Sequence, residues 1–312
     1  MQELPVTIIV LCFNASSTII DTLQSIKQQN YNKISLLIGD DASKDNSVEI
    51  ANQWIEENRD RFIECDIICH SKNVGTSKNF DDLMKRVNTE WVKVIAADDT
   101  LINECISKNV NYIVKNDIKA MLYSRVRPFK ENKSIKEYLP ENLSDIQYAK
   151  DLSKKEPLKQ YKSLLRRDIV FSPTGFINAN IYKKLGGIDI RIRNIEDWPL
   201  RLLFTKNGYR VDFMDEVTVN YRIGDSVSHS TGCFFNPNHI KQRMELKKLL
   251  VYPNISKCNL VYFWDEMITS FRYNVIIHLF KNKVNTMSKI ANYLLMMLSP
   301  SAWKKMIEHF TT

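Results

Sequence analysis

Glycine is scarce, with eight in 312 residues, and none forms a G-x-G-x-x-G or Walker-type loop behind a strand. A dinucleotide oxidoreductase or a P-loop nucleotide hydrolase would lack the backbone cradle that its phosphates need. No run approaches the roughly 18 apolar residues of a membrane span. The longest candidate, residues 290–298, is interrupted by Asn292 and ends at Ser299-Pro300. The N-terminal stretch MQELPVTIIVLCFN has no basic flank, and its apolar run is too short for a signal peptide, so it reads as a buried strand. Six cysteines, at 12, 65, 69, 105, 233 and 258, contain no C-x-x-C pair. This fits reduced thiols in a cytosolic protein better than a disulfide frame or a zinc site, and it places Cys65 and Cys69 in the core. No nucleic-acid module signature, internal repeat or low-complexity tract is found, and no nucleic-acid partner is expected. The expected setting is cytosolic or at a surface.

What the chain does have is enough hydrophobic sequence for a full core, 44% against 26% charged. Its net charge of +8 favours anionic partners. From Lys281 onward there are five lysines and one glutamate among bulky apolar residues.

The first 125 residues alternate as βα units. Val6 to Leu11 is a β-branched run suited to a strand buried on both faces. A helix over 17–29, capped by Ser16 or Ser17, would gather Ile19, Ile20, Leu23 and Ile26 on one face. A strand at 34–38 and a helix at 47–57 come next, the latter turning Val48, Ala51, Trp54 and Ile55 inward. Then come a strand around 67–68, a helix over 80–87, and a strand at 91–97 running into Asp98-Asp99. Such alternation implies an α/β fold with a mostly parallel sheet, which binds ligands at the carboxyl ends of its strands. Those ends carry Cys12-Phe13-Asn14, Asp40-Asp41-Ala42-Ser43 and Asp98-Asp99. The charged, weakly periodic stretch 128–157 is expected to be a mobile insertion, with regular structure resuming near Leu158. From Pro237 onward the pattern is helical, and Leu260, Trp264, Ile268, Phe271, Val275 and Leu279 keep one face apolar.

A nucleoside diphosphate is a cluster of hard oxygen anions, which carboxylates can help to bind only through a hard cation such as Mg2+ or Mn2+. The motifs carrying that chemistry are Val6-Thr-Ile-Ile-Val-Leu-Cys-Phe-Asn14, Leu36-Leu-Ile-Gly-Asp40-Asp41-Ala-Ser-Lys-Asp-Asn-Ser47, Asn73-Val-Gly75-Thr-Ser-Lys78-Asn79 and Trp91-Val-Lys-Val-Ile-Ala-Ala-Asp98-Asp99. Gly175-Phe176, Leu185-Gly-Gly-Ile-Asp189 and Asn194-Ile-Glu196-Asp197-Trp198 continue the series. In this order they resemble family 2 glycosyltransferases, which share the GT-A fold; among bacterial members, the polysaccharide and O-antigen transferases are the nearest in kind.

The resemblance implies a GT-A domain over residues 1–235, with a donor half at about 1–125 and an acceptor half at about 158–235. A helical extension, 236–312, completes the chain. The implied reaction is inverting transfer of a sugar from a nucleotide-sugar, a UDP-sugar above all, to a glycan hydroxyl. The implied acceptor is a polyprenyl-diphosphate-linked oligosaccharide at the cytoplasmic face of the inner membrane. Phe13 would lie against the donor base, beside the backbone of Leu11 and Cys12 and near Asn14. Asp41 would accept a bond from the uracil imide or ribose, and Lys78 would lie near the diphosphate. Asp98-Asp99 corresponds to the family's D-x-D element, with Ala96 where many members place the first Asp. Asp99 would bind the Mn2+ or Mg2+ ion, and Asp98 the ribose or a water. Glu196-Asp197 resembles the family's E-D element, with Asp197 the base and Glu196 orienting substrate. Ser172-Pro-Thr-Gly175 resembles the donor-sugar and acceptor lining. Gly224 stands where relatives often carry a histidine, which leaves His229 as a substitute or an ordinary surface residue.

Plainer roles remain open for the same residues. Asp40, Asp41 and Ser43 would serve a turn or helix cap, Asp98-Asp99-Thr100 a strand-ending turn, and Asp197 the start of a helix at Pro199. The rival functions are a nucleotidyltransferase and a non-catalytic membrane-associated binding protein. For the C-terminal residues two roles compete: docking on an anionic membrane through Trp303, Met306, Ile307 and Phe310 with Lys304 and Lys305 and the second apolar segment 290–298, or packing within the fold or a dimer.

Overall fold

The computed structural model describes residues 4–132, 135–224, 233–256, 259–300 and 302–303. The chain divides into two compact units, residues 1–223 and 224–312. The first unit opens with β1 (Val6–Cys12), α1 (Ile19–Lys27), β2 (Ile34–Asp40), α2 (Ser47–Asn58), β3 (Cys65–Cys69), α3 (Thr76–Arg86) and β4 (Trp91–Ala96). It continues through β5 (Thr100–Leu101), α4 (Cys105–Lys115), β6 (Met121–Asn132), β7 (Ile135–Tyr138), α5 (Leu143–Ser153) and α6 (Pro157–Leu164). It closes with β8 (Phe176–Asn178), α7 (Ala179–Lys184), α8 (Asp197–Lys206) and β9 (Val211–Arg222).

These strands form one sheet in the order β3-β2-β1-β4-β8-β6-β9-β5, with β7 paired to β6. The first four are parallel, β8 is antiparallel to β4 and β6, and β9 runs parallel to β6. Val6, Ile8, Val10, Ile34, Leu36 and Ile38 are buried, and both β1 and β2 are covered on their two faces, as the β-branched run predicts. Each such side chain removed from water contributes on the order of 1.5–3 kcal/mol. Register matters more for function: Leu11 pairs with Ala96 and Cys12 with Asp40, so β1, β2 and β4 end at one level. Gly39 lets α3 approach β2, because a Cβ there would lie 2.4 Å from Leu83 and 2.5 Å from Asn79.

Several expectations are corrected. The 128–157 stretch is not a mobile insertion: it holds the end of β6, the β6–β7 hairpin and α5, whose Ile146, Ala149 and Leu152 are buried. Asn142 caps α5 by accepting from the Ser144 and Asp145 amides. Helix α1 starts after Thr18, not at Ser16 or Ser17, because the Ser16 amide donates to Asp45 and the Thr18 hydroxyl to the Ala97 carbonyl. Ile20 is exposed while Ile19, Leu23 and Ile26 are buried. Cys69 is exposed at the end of β3, whereas Cys12, Cys65 and Cys105 are buried. Cys258 lies outside the described residues.

The second unit contains α9 (Pro237–Leu246), α10 (Leu260–Asn274) and α11 (Thr286–Met296). Among the described residues of this unit, Leu246, Val251, Tyr262, Ile268 and Ile276 are the buried apolar ones. Lys247 lies 2.7 Å from both Glu266 oxygens, and the Tyr252 hydroxyl also donates to Glu266. The apolar face expected on α10 is formed, but Leu260, Trp264, Phe271 and Leu279 on it are exposed and only Ile268 is buried. Among the described residues no helix is long and apolar enough to cross a membrane.

Candidate active site

The loops leaving β1 and β2 are stitched to each other. The Asn14 amide, at φ 50°, donates to the Ser43 hydroxyl, and the Asn14 side-chain oxygen accepts from the Lys44 amide. Asp40 accepts from the amide and hydroxyl of Ser43, so the turn role foreseen for Asp40 is present. The Leu11 carbonyl accepts from the Ala97 amide and the Cys12 carbonyl from the Asp41 amide. Phe13 stands 44% exposed at this edge, an aromatic face that no hydrophobic packing explains.

Asp41 is buried, and its oxygens accept from the amides of Val74 at 2.6 Å and Gly75 at 2.8 Å. Each oxygen keeps a second lone pair, so a bond to a base would be added to this clamp and not made in its place. The clamped loop continues the chain of contacts. Gly75, at φ +92°, lies against Arg193, and a Cβ there would come within 2.3 Å of the Arg193 side chain. Arg193 donates to the Asn73 carbonyl, the Ser77 amide to the Arg193 carbonyl, and the Thr76 amide to the Asn194 side chain. Asp41 thereby fixes the segment that leads into Glu196-Asp197. Lys78, in the first turn of α3, pairs with Asp82, its i+4 neighbour.

Behind β4, Asp98 is half-buried and Asp99 is 1% exposed. One Asp99 oxygen accepts from the Arg222 amide at 2.8 Å, while its Oδ2 is buried with no partner. Burial, reinforced by Asp98, holds the Asp99 carboxyl well above the usual carboxylate range, and burial raises Asp98 as well. Arg222 does little to offset this. Its Nε donates to the Asp98 carbonyl, and its guanidinium is spent on Asp21 and Glu131 over the Phe129 ring. Two adjacent carboxyls, one with an orphaned oxygen and both reluctant to ionise, are a donor set that a divalent cation fits, since it would pair the oxygen and repay the repulsion. Among the described residues no third carboxylate, His or Cys completes a protein cage, so the remaining ligands would come from the diphosphate and water.

The second acidic pair sits at the start of α8. Asp197 Oδ1 accepts from the Trp198 amide at 2.8 Å, and Oδ2 accepts from the Ser172 hydroxyl and from Arg201 at 2.9 Å. Burial works to raise Asp197, but Arg201, Ser172 and the Trp198 amide outweigh it and hold the carboxyl below its ordinary value. Glu196 differs: burial, then the Asp197 charge, push it up to about 7. Arg201 is fully buried, bonded also to both oxygens of Asp168 and set over the Tyr123 ring.

Two contributors escaped the sequence reading. Arg201 was visible as a cation four residues beyond Asp197. Lys93 was visible as a charge inside the buried run Trp91-Val-Lys-Val-Ile. It is fully buried, lowered to about 8 by burial, and donates to the carbonyls of Val94 and Pro173, which anchors the turn carrying Ser172. Arg222 was visible only by its place at a strand end. His229 lies outside the described residues.

A family model for glycosyl transferase family 2 matches residues 7–174, which takes in Asp41, Asp98 and Asp99 but stops short of Glu196. An uncharacterized glycosyltransferase of Methanocaldococcus jannaschii is 22% identical over 291 residues, covering 90% of this chain and 89% of its own. Among solved structures, a fragment of Staphylococcus aureus TarS superposes with a TM-score of 0.60 at 15% identity, covering 95% of this chain and 81% of that one. The Pyrobaculum calidifontis mannosyltransferase PcManGT, solved with GDP-Man and Mn2+, gives 0.52 at 14% identity, covering 97% and 74%. The superposition gives the chain the GT-A fold of these structures, and the family model spans more than half the sequence, through β1, β2, β4 and the acidic ends of β2 and β4; the chain therefore belongs to glycosyl transferase family 2 and is a glycosyltransferase.

Proposed function

We propose that the chain transfers a sugar from a UDP-sugar to a hydroxyl of a glycan, with inversion and with Mn2+ or Mg2+ as its cation. The observation that carries this reading is the buried, unpartnered Oδ2 of Asp99 beside Asp98 at the carboxyl end of β4. Asp98 and Asp99 would hold the cation, whose chemistry is to neutralise charge on the departing diphosphate. The exposed ring of Phe13 offers the base a stacking face, and Asp41 favours uracil because cytosine carries no N3 proton to donate. TarS, whose fold this chain shares, has been solved with UDP-GlcNAc, which supports a UDP-sugar as the first donor to test.

The acceptor hydroxyl has a pKa far above neutrality and must lose its proton as it attacks. A carboxylate of the Glu196-Asp197 pair takes that proton. Displacement at the anomeric carbon from the side opposite the leaving diphosphate then inverts the configuration. The acceptor is read as a glycan built on polyprenyl diphosphate for a surface polysaccharide of the O-antigen kind. The chain would work peripherally at the cytoplasmic face of the inner membrane, drawn there by its lysine-rich C-terminal residues.

Mass-spectrometric screening of donor hydrolysis, with several UDP-sugars and GDP-mannose in Mn2+ and in EDTA, tests the reading. UDP release that requires the cation is expected. Formation of UTP and sugar 1-phosphate when pyrophosphate is added to the UDP-sugar would mean a nucleotidyltransferase, and no turnover with any donor or mixed acceptor set would leave a binding protein.

A further inference from the structure

Helices α10 and α11 present two apolar stripes with the same spacing. On α10, Trp264, Met267 and Phe271 are 51%, 54% and 52% exposed; on α11, Met287, Ile290 and Leu294 are 66%, 50% and 60% exposed. Both sets recur at i, i+3, i+7, so each lies along one side of its helix. The two helices that carry the stripes pack on each other, and the start of α10 is tied to the residues after α11: Trp264 Nε1 donates to the Leu298 carbonyl at 3.1 Å, and the Ser299 hydroxyl to Asp265 at 2.5 Å. Soluble proteins seldom leave so much contiguous apolar surface open without a partner.

The charge around this surface names the partner. From Met267 to Trp303 there is no Asp or Glu, while Lys281, Lys283 and Lys289 are exposed. The two acids that open α10 are already engaged, Asp265 by Ser299 and Glu266 by Lys247 and Tyr252. A second copy packed symmetrically on this face would bring the lysines toward their own kind, and like charges repel. An anionic bilayer answers both features, taking the apolar side chains below its headgroups and pairing the lysines with lipid phosphate. No described helix is long and apolar enough to cross, so the surface lies on the membrane and does not span it.

We infer that the α10–α11 face, and not the stretch beyond Trp303, is the surface that docks this enzyme on an anionic lipid bilayer. The inference rests on the peripheral placement read above and assigns the surface responsible for it. Co-sedimentation of the full chain with vesicles of phosphatidylglycerol and phosphatidylcholine in equal parts tests it. The wild type should bind, and should lose that binding on phosphatidylcholine alone. The variant M267D/F271D/L294D should lose at least about 10-fold in vesicle affinity while hydrolysing UDP-sugar in solution at the wild-type rate. K281Q/K283Q/K289Q should lose on the order of 100-fold at low salt. M306D/F310D should bind like the wild type. Should the aspartate variant misfold, brominated lipid gives an independent reading: it should quench wild-type fluorescence more than that of Trp264→Phe, and equal quenching would remove α10 from the membrane. Undiminished binding by the aspartate variant, or lost binding by M306D/F310D, would overturn the assignment and leave the peripheral placement intact. A wild type that stays in the supernatant, or forms a dimer in place of binding vesicles, would end both. Neither result bears on donor chemistry.

Discussion

Two pairs of adjacent carboxyls, Asp98-Asp99 and Glu196-Asp197, stand in similar sequence contexts and are wired in opposite ways. Each has an arginine nearby. Arg201 points its guanidinium at Asp197, shares it with Asp168, and keeps Asp197 ionised despite burial. Arg222 gives Asp99 only its backbone amide and spends its positive charge on Asp21 and Glu131, so both strand-end carboxyls stay raised. An arginine neutralises a carboxylate only where its planar fork is aimed. In one pair Asp197 is thus compensated from within, and the other pair awaits a charge from outside.

The largest effect should come from breaking the uncompensated pair. Asp99→Asn should lower transfer roughly 10³-fold, the scale of losing a preorganised electrostatic contact in the transition state. Titration calorimetry should show UDP binding weakened far more in Mn2+ than in EDTA, whereas equal weakening would detach Asp99 from the cation. Next, Asp197→Asn should keep donor affinity and lower transfer by about 10²-fold or more. Wild-type transfer in that variant would take Asp197 out of the mechanism.

Arg201→Met should convert the compensated pair into an uncompensated one, at a cost of about 3–5 kcal/mol for stranding Asp168 and Asp197. The pH dependence carries the sign. Asp197 is depressed in the fold, so the stability it contributes is present above the ordinary aspartate pKa and is lost as pH falls through the lowered value. Removing Arg201 removes that depression, so the variant's deficit should be largest near neutral pH and should shrink as pH falls and the stranded Asp168 and Asp197 take up protons, which chemical denaturation across a pH series would reveal. Glu196 has the opposite sign. Its folded value of about 7 means that stability declines as pH rises from the ordinary glutamate range to about 7. Glu196→Gln should flatten that decline and gain about 1–2 kcal/mol above neutrality; an unchanged thermal profile would mean Glu196 is already ionised at neutral pH. The smallest effect belongs to Lys78→Met, which loses an i, i+4 pair with Asp82 and should cost only about 0.3–0.5 kcal/mol, with little change in the donor KM. A tenfold rise in KM would restore Lys78 to the diphosphate.

The strands were legible because a run buried on both faces must be mostly apolar, as 6–11 and 34–38 are apart from Thr7 and Ser35. The 128–157 stretch was misread for a related reason. Helix α5 buries only Ile146, Ala149 and Leu152, a stripe too thin to stand out among its charges. Arg201, the larger cause of the lowering of Asp197, lies only four residues along the chain, but Ser172, which adds to it, is delivered by the turn before β8 from 25 residues away.

The sequence by itself determined the fold family, the level at which three strands end, and the residue types gathered there, because periodicity and local motif suffice to place a strand and the residues at its end. Only the tertiary structure decided which carboxylate is satisfied and which is not. A charge's state depends on the partners that distant segments bring within about 3 Å. It was the fold that carried Arg222 to Asp99 from 123 residues away and aimed its guanidinium elsewhere.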